Sequence, residues 1–281
     1  MRFKIPLYNE LRRNKRAVSP AISTVILTSA IVVLLLVTIV FANNFLNARM
    51  AENDFSAMKQ FMQNVGLQID DVAWIPESAR TIRYASRFGQ VNFETSVLTY
   101  TVYVNGTDFL ANFTTGIILF NMPISQYSLG NGYYACISPL NRSFLNSGPS
   151  APVSYIYVTE KLPMYDGGFI RVVVVPIIRM LNTTTITTGK SANYSKFYLP
   201  VLSNGTSPRL SQSVTLTGKN ISVKTAENVV TIKVTVSFLK NSLGFDEDFF
   251  NFDKTEVVVT VPKGAIVEFY TGEVMVSLGS V

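Results

Sequence analysis

RRNKRAVSPAISTVILTSAIVVLLLVTIVFA, residues 12–42, decides the architecture of this 281-residue chain. Arg12, Arg13, Lys15 and Arg16 fall within five positions, and the next charged residue is Arg49. Residues 17–48 form a run of 32 positions without a charge, and 21–42 are almost wholly apolar. A helix rising 1.5 Å per residue crosses a ~30 Å hydrocarbon core in ~20 residues. A core helix of a soluble domain keeps a polar face over such a length, and this segment has none. The run therefore predicts a membrane span. The cations before it are held on the cytoplasmic side, which puts the N-terminus inside and everything after about residue 45 outside.

The net charge of +6 and isoelectric point near 9.3 would suit a nucleic-acid binder, but the charge is in the wrong place. Arg2, Lys4, Arg12, Arg13, Lys15 and Arg16 against Glu10 account for +5 of it within residues 1–17. The rest of the chain is close to neutral and has no long-range attraction for phosphates, so no nucleic-acid partner is expected.

Three processing fates fit the leader. A conventional secretory signal would be cut after a small-x-small site such as Val40-Phe41-Ala42, but its apolar region is normally ~7–15 residues long. The segment could stay as an uncleaved anchor. Or the chain could be cut ahead of the apolar run, leaving the helix on the mature protein. The junction favours the third: Arg16-Ala17-Val18-Ser19-Pro20 ends a cationic patch on a small residue, and Ser19 and Pro20 suit an N-cap and a first helical position.

KRAVSPAISTVIL, with its cations, Ala, Val-Ser-Pro and charge-free helix, resembles the class III signal peptide of archaeal type IV pilins. The resemblance covers roughly residues 12–45. It implies a prepilin peptidase as partner, cutting between Ala17 and Val18, with Lys15, Arg16, Ser19 and Pro20 as the recognition residues. Bacterial type IV pilins carry Glu at the fifth mature position. Here that position is Ile22, and after Glu10 the next acidic residue is Glu52. Assembly in this reading rests on apolar packing alone.

Beyond the membrane the helical period persists. Ala48, Ala51, Phe55, Met58, Met62, Val65 and Ile69 step by three and four, with Arg49, Glu52, Asp54, Lys59, Gln60, Gln63 and Asn64 between them. One apolar stripe on a wet helix predicts a spine over 18–70, ended by Gly66, Asp70-Asp71 and Pro76. The stripe can dock on neighbouring subunits or on the chain's own head.

After residue 80 the period changes to two. Alternation at 98–104, 230–238 and 257–261, with further strands at 153–158, 169–180, 196–202, 212–217, 221–225 and 266–278, predicts about a dozen strands. Turn signals separate them at Asn105-Gly106, Asn131-Gly132, Asp166-Gly167-Gly168, Asn204-Gly205 and Lys263-Gly264. The fold class is α+β: a long N-terminal helix followed by a mostly-β, sandwich-like head of one or two sandwiches over 71–281. Residues 139–152 are the best place for a subdivision, and 80–281 alone are expected to fold as a soluble β protein.

Seven Asn-x-Ser/Thr sequons, at Asn105, Asn112, Asn141, Asn182, Asn193, Asn204 and Asn220, all lie in the head, where 21 asparagines in the chain would give about four by chance. They suit a glycosylated extracytoplasmic surface. Catalysis has little to work with. The chain has no His, Cys136 is its one cysteine and no phosphate loop is present, so no enzyme activity and no cofactor are expected. The acidic cluster Asp246, Glu247, Asp248 and Asp253 reads as a solvated loop. Asp246, Asp248 and Asp253 form a weak Ca²⁺ candidate without EF-hand spacing. Trp74 is expected where helix meets head, and Tyr127, Tyr133 and Tyr134 could be adhesive contacts. Together these features point to a pilin-like surface filament subunit or minor pilin, with the lipid bilayer and other subunits as partners. The alternative is a single-pass anchored binding or sensing protein that does not polymerise.

The processing expectation is directly measurable. Intact mass or N-terminal sequencing of native protein should give a chain beginning at Val18, and replacing Lys15 and Arg16 by Glu should block cleavage. A start at Asn43 would mean a conventional signal and remove the pilin resemblance.

Overall fold

The structure, a computed structural model, describes residues 7–106, 108–162, 164–165, 167–187, 190–205 and 212–279. Side chains at 7–21, 186–187, 190–192 and 263 are not described. The chain divides into two units, residues 1–50 and 51–281.

Helix α1 is Leu7–Ala73. It begins a dozen residues before the start expected at Ser19 and Pro20. The leader is rich in Leu, Arg and Lys, strong helix formers, and the helix runs on through Pro20 despite its missing backbone donor and its ring's crowding of the preceding turn. The processing residues Lys15, Arg16, Ala17, Val18, Ser19 and Pro20 thus have helical backbone, and their side chains lie outside the described residues.

In the second unit, eleven strands among the described residues make one sheet. They are β1 (Ala79–Arg83), β2 (Gln90–Val104), β3 (Asp108–Pro123), β4 (Tyr133–Ser138), β5 (Leu145–Ser147), β6 (Ser154–Glu160), β7 (Phe169–Pro176), β8 (Ile178–Thr187), β9 (Lys190–Asn204), β10 (Ser213–Phe238) and β11 (Glu256–Leu278). The order is β4-β6-β7-β3-β2-β10-β11-β9-β8-β5, with β1 paired to β10. The pairs are antiparallel except β9–β11 and β5–β8. The long strands β10 and β11 run beside each other through three register shifts, so the sheet folds over on itself. Its inner faces meet in one core: Tyr100, Leu119, Tyr157 and Val173 from one half, Met180, Phe197, Ile232 and Phe269 toward the other.

A second core lies on the opposite face, and it is where the helix docks. Phe55, Met58, Met62, Val65, Ile69 and Val72 pack with Ile118, Phe120, Ile156, Val158, Val172 and Val174, and with Val214 and Val276. Strands β6 and β7 are consequently buried on both faces. The whole stripe from Ala51 to Ile69 is 0–1% exposed. Of the two fates open to it, the stripe takes the head, and each large side chain contributes about 1.5–3 kcal/mol by leaving water.

Polar groups pin both edges of the docked helix. Asp54 Oδ2 accepts from Ser86 Oγ at 2.8 Å and from the backbone N–H of Arg87 and Phe88 at 3.1 Å. Asp70 takes Arg179 Nη1 on one oxygen and Trp74 Nε1 on the other, both at 2.8 Å. Trp74 also meets Tyr198 edge-on at 5.2 Å, the helix–head junction expected of it. Two glycines set the approach. A Cβ at Gly66 would meet Ile156 Cδ1 at 2.6 Å, and one at Gly272 would meet the Ala73 carbonyl at 2.2 Å. Gly66, which weakens the helical pattern in the sequence, is there to let the helix lie close.

Several sequence expectations change. β3 was missed because residues 116–122 are buried on both faces and lose alternation. Residues 139–152, expected as a linker, carry β5 and the fully buried Phe144. Lys263-Gly264 is no turn: β11 continues through it, and the extra residues are taken up as a register shift against β10. The loop after β10 is only half solvated. It holds a 3-10 turn (Asn241–Leu243) and a short helix α2 (Glu247–Phe250), and it drives Phe245, Phe249, Phe250 and Phe252 into the core.

Because residues 51–73 complete the second core, the self-folding piece is expected to begin near residue 51 rather than at 80. A fragment 80–281 would bare Ile118, Phe120, Val172 and Val174 to water and should aggregate, whereas 51–281 should stay soluble and two-state in urea. Phe55→Ser with Met62→Ser should destabilise that fragment by more than about 4 kcal/mol, as cavity-forming core changes do. A soluble, cooperatively folding 80–281 would refute the docked-stripe account.

Candidate functional site

The first unit carries the strongest functional signal. From Ile22 onward the α1 side chains of residues 22–50 are exposed apart from the half-exposed Asn47, with Leu34 at 67% and Phe41 at 71%. Among the described residues this helix is the one long and apolar enough to cross a membrane, with a mean hydropathy of 3.0 over its best window. Its few hydroxyls need no water. Thr28 Oγ1 donates to the Thr24 carbonyl at 2.9 Å, Ser29 Oγ to Ile26 at 2.9 Å and Thr38 Oγ1 to Leu34 at 2.8 Å. That internal satisfaction is what hydrocarbon demands of polar groups. Ile26, Ser29, Ala30, Val33, Leu34 and Val37 line a shallow apolar groove along one side. Arg49, the first charge after the uncharged run, lies over the Phe45 ring at 5.4 Å.

In the head, the acidic cluster does not converge. Asp246 caps α2 through Phe249 N–H at 2.9 Å and pairs with Lys161. Asp253 pairs with Arg142 Nε at 2.9 Å, and Asp248 points to solvent. Among the described residues no three Asp, Glu or Cys side chains gather to hold a metal. The Ca²⁺ candidate Asp246, Asp248 and Asp253 is corrected accordingly: capping and ion pairing disperse the carboxylates that sequence places together.

The tyrosines thought adhesive are mostly structural. Tyr127 packs on Phe55 at 5.2 Å, and Tyr134 bonds Tyr155 and the Phe250 carbonyl. Tyr133 keeps 37% exposure. The buried Glu160 carboxylate holds their loop, accepting from Ser128 Oγ and Leu129 N–H at 2.7 Å and from Gly130 N–H at 3.2 Å. Cys136 sits 3.3 Å from Tyr155 Oη. Burial, above all, raises the phenols of Tyr134 and Tyr155, which favours their neutral forms.

Six of the seven sequon asparagines are exposed and Asn193 is half-buried. Four are tied down. Asn105 Oδ1 accepts from Val230 N–H at 2.9 Å, and Asn141 Nδ2 donates to Asn146 at 2.6 Å. Across β8–β9, Asn182 stands opposite Ser195 and Asn193 opposite Thr184, and each asparagine accepts the other sequon's hydroxyl: Ser195 to Asn182 at 2.8 Å, Thr184 to Asn193 at 2.9 Å. Asn112, Asn204 and Asn220 make no side-chain hydrogen bond among the described residues. Asn112 and Asn220 line one polar groove of about 270 Å³ with Thr114, Ser222, Thr271 and Glu273.

Calcium should do nothing here: millimolar CaCl₂ or a chelator should leave the thermal midpoint of the 51–281 fragment unchanged. Asp248→Asn should be neutral, and Asp246→Ala should cost about 1 kcal/mol through the lost cap. A calcium-dependent rise in midpoint would restore the metal reading.

Comparison of the chain with protein-family models, with curated proteins and with solved structures finds no match in any of the three.

Proposed function

We propose that this chain is an archaeal type IV pilin-like surface subunit, a filament component or minor pilin, held and assembled through its N-terminal helix with its head outside the cell. The observation that carries the reading is the contrast along α1. Side chains at 51–72 that face the sheet are buried in the head, while those at 22–46 are mostly apolar and all exposed. Such a segment needs lipid or other helices. The cationic leader and KRAVSPAISTVIL supply the resemblance and the orientation. The role is structural or adhesive rather than catalytic. Its partners are the bilayer, a prepilin peptidase and further subunits.

Packing would use residues 22–46 and the groove at Ile26, Ser29, Ala30, Val33, Leu34 and Val37, whose small members allow close approach of helices. Hiding ~1,000 Å² of apolar surface per subunit would be worth ~25 kcal/mol before entropy costs, enough without the acidic residue that bacterial pilins carry. One observation favours the second reading, an anchored protein that does not polymerise: the stripe at 51–72 is consumed by the head and is not free for lateral contacts.

Ile31→Asp or Leu35→Asp puts an unpaired charge among apolar helices at a cost of a few kcal/mol. Sheared surface fractions of the wild type should contain filaments or high-mass assemblies, and either variant should lose them. If the native protein yields only monomer in the membrane fraction, the filament reading fails and the anchored one stands.

A further inference from the structure

The β2–β3 hairpin displays an aromatic pair that a regular ladder would have hidden. Its turn is Asn105-Gly106, both at positive φ. Pairing proceeds from Thr101↔Asn112 to Val102↔Ala111 and then jumps to Tyr103↔Phe109, leaving Leu110 as an extra residue. Ala111 and Val102 face inward and are buried. In an unbroken alternation Phe109 would share their face. The bulge turns it outward instead, onto the face of Tyr103 and Asn112, and sends Leu110 against the core. Phe109 is 60% exposed, and its ring stands edge-to-face with Tyr103 at 6.1 Å and 72°.

We propose that Asn112 carries an N-linked saccharide whose first sugar packs on the Phe109–Tyr103 pair. The inference rests on the reading of the head as extracytoplasmic. Asn112 opens the sequon Asn112-Phe113-Thr114, is exposed, and makes no side-chain hydrogen bond among the described residues. It lies one row from the aromatic pair, and successive rows on one face are ~7 Å apart. A pyranose linked to its amide bridges that gap. The apolar C–H face of the sugar then meets the electron-rich face of an aromatic ring, the same quadrupole attraction that orders aromatic edges over faces. The aromatic row continues into Lys233, held by Glu256 at 2.7 Å, a charged donor for sugar hydroxyls at the rim. Asn105, Asn182 and Asn193 use their side-chain oxygens in the fold and Asn141 its nitrogen, whereas the outward aromatic pair stands beside Asn112.

The test uses full-length native protein in detergent. Glycopeptide mass spectrometry should find Asn112 occupied. A mutant cycle then reads the seat. Asn112→Gln should lower the thermal midpoint by about 2–4 °C in the wild-type background. It should do nothing in a Phe109→Ala background, and Phe109→Tyr should preserve the full difference. Asn112 bare while other sequons are occupied overturns the proposal. So does a midpoint loss independent of Phe109, or one that depends instead on Glu273→Gln, which would seat the sugar in the neighbouring groove. If every sequon is bare, the extracytoplasmic glycosylation reading falls with it.

Discussion

The rest of the head depends on the burial of one helical stripe. Phe55, Met58, Met62, Val65, Ile69 and Val72 close the outer face of β3, β6 and β7, strands whose inner face is already closed by the folded-over half of the sheet. Neither sheet nor helix segment is complete without the other. A stripe of this kind cannot stay in water, and a sheet with two apolar faces cannot present one of them to solvent. The acids at its edges, Asp54 on the Ser86–Phe88 loop and Asp70 on Arg179, are registration devices. Partly exposed pairs of this kind add modest stability, and their geometry fixes where along the sheet the helix sits.

The docked stripe divides one helix between two solvents. At 22–46, Thr28, Ser29 and Thr38 turn back on their own backbone and the apolar side chains face outward, an arrangement suited to hydrocarbon. Above it, the same 3.6 period presents a single apolar face to a protein core. The proposed pilin-like role uses this division: one half anchors and assembles, while the other carries the head. The consequence for assembly is specific. Contacts between subunits above the membrane would have to use surfaces other than the stripe, because the stripe is already filled.

Cross-strand geometry gives the sequons different characters although they share one motif. On β8 and β9 two of them are in register, and each supplies the hydroxyl that the other's asparagine accepts. At the hairpin turn Asn105 holds β10 in place. At Asn112 the amide is open and an aromatic pair stands one row away, because a single extra residue, Leu110, reversed the facing of Phe109. The acidic loop shows the complementary effect. Phe245, Phe249, Phe250 and Phe252 flank its carboxylates, so its aromatic half seals the core while Asp246 caps and pairs.

The sequence by itself determined what depends on local pattern. A run of 32 uncharged residues after a cationic patch can be little else than an apolar helix needing its own solvent, and the change of period from 3.6 to two marks the start of the sheet. Both follow from neighbours along the chain. Only the tertiary structure decided which partner the amphipathic stripe takes, because the same periodicity serves a neighbouring subunit and the chain's own head equally well. It also decided that β3 is a strand, since burial on both faces erases the alternation that would announce it. The fates of the acidic cluster and of each sequon were decided there too. Carboxylates adjacent in sequence were dispersed to a cap, an ion pair and solvent, and Asn112 was set beside Phe109 by a bulge, a matter of register between strands that no single segment specifies.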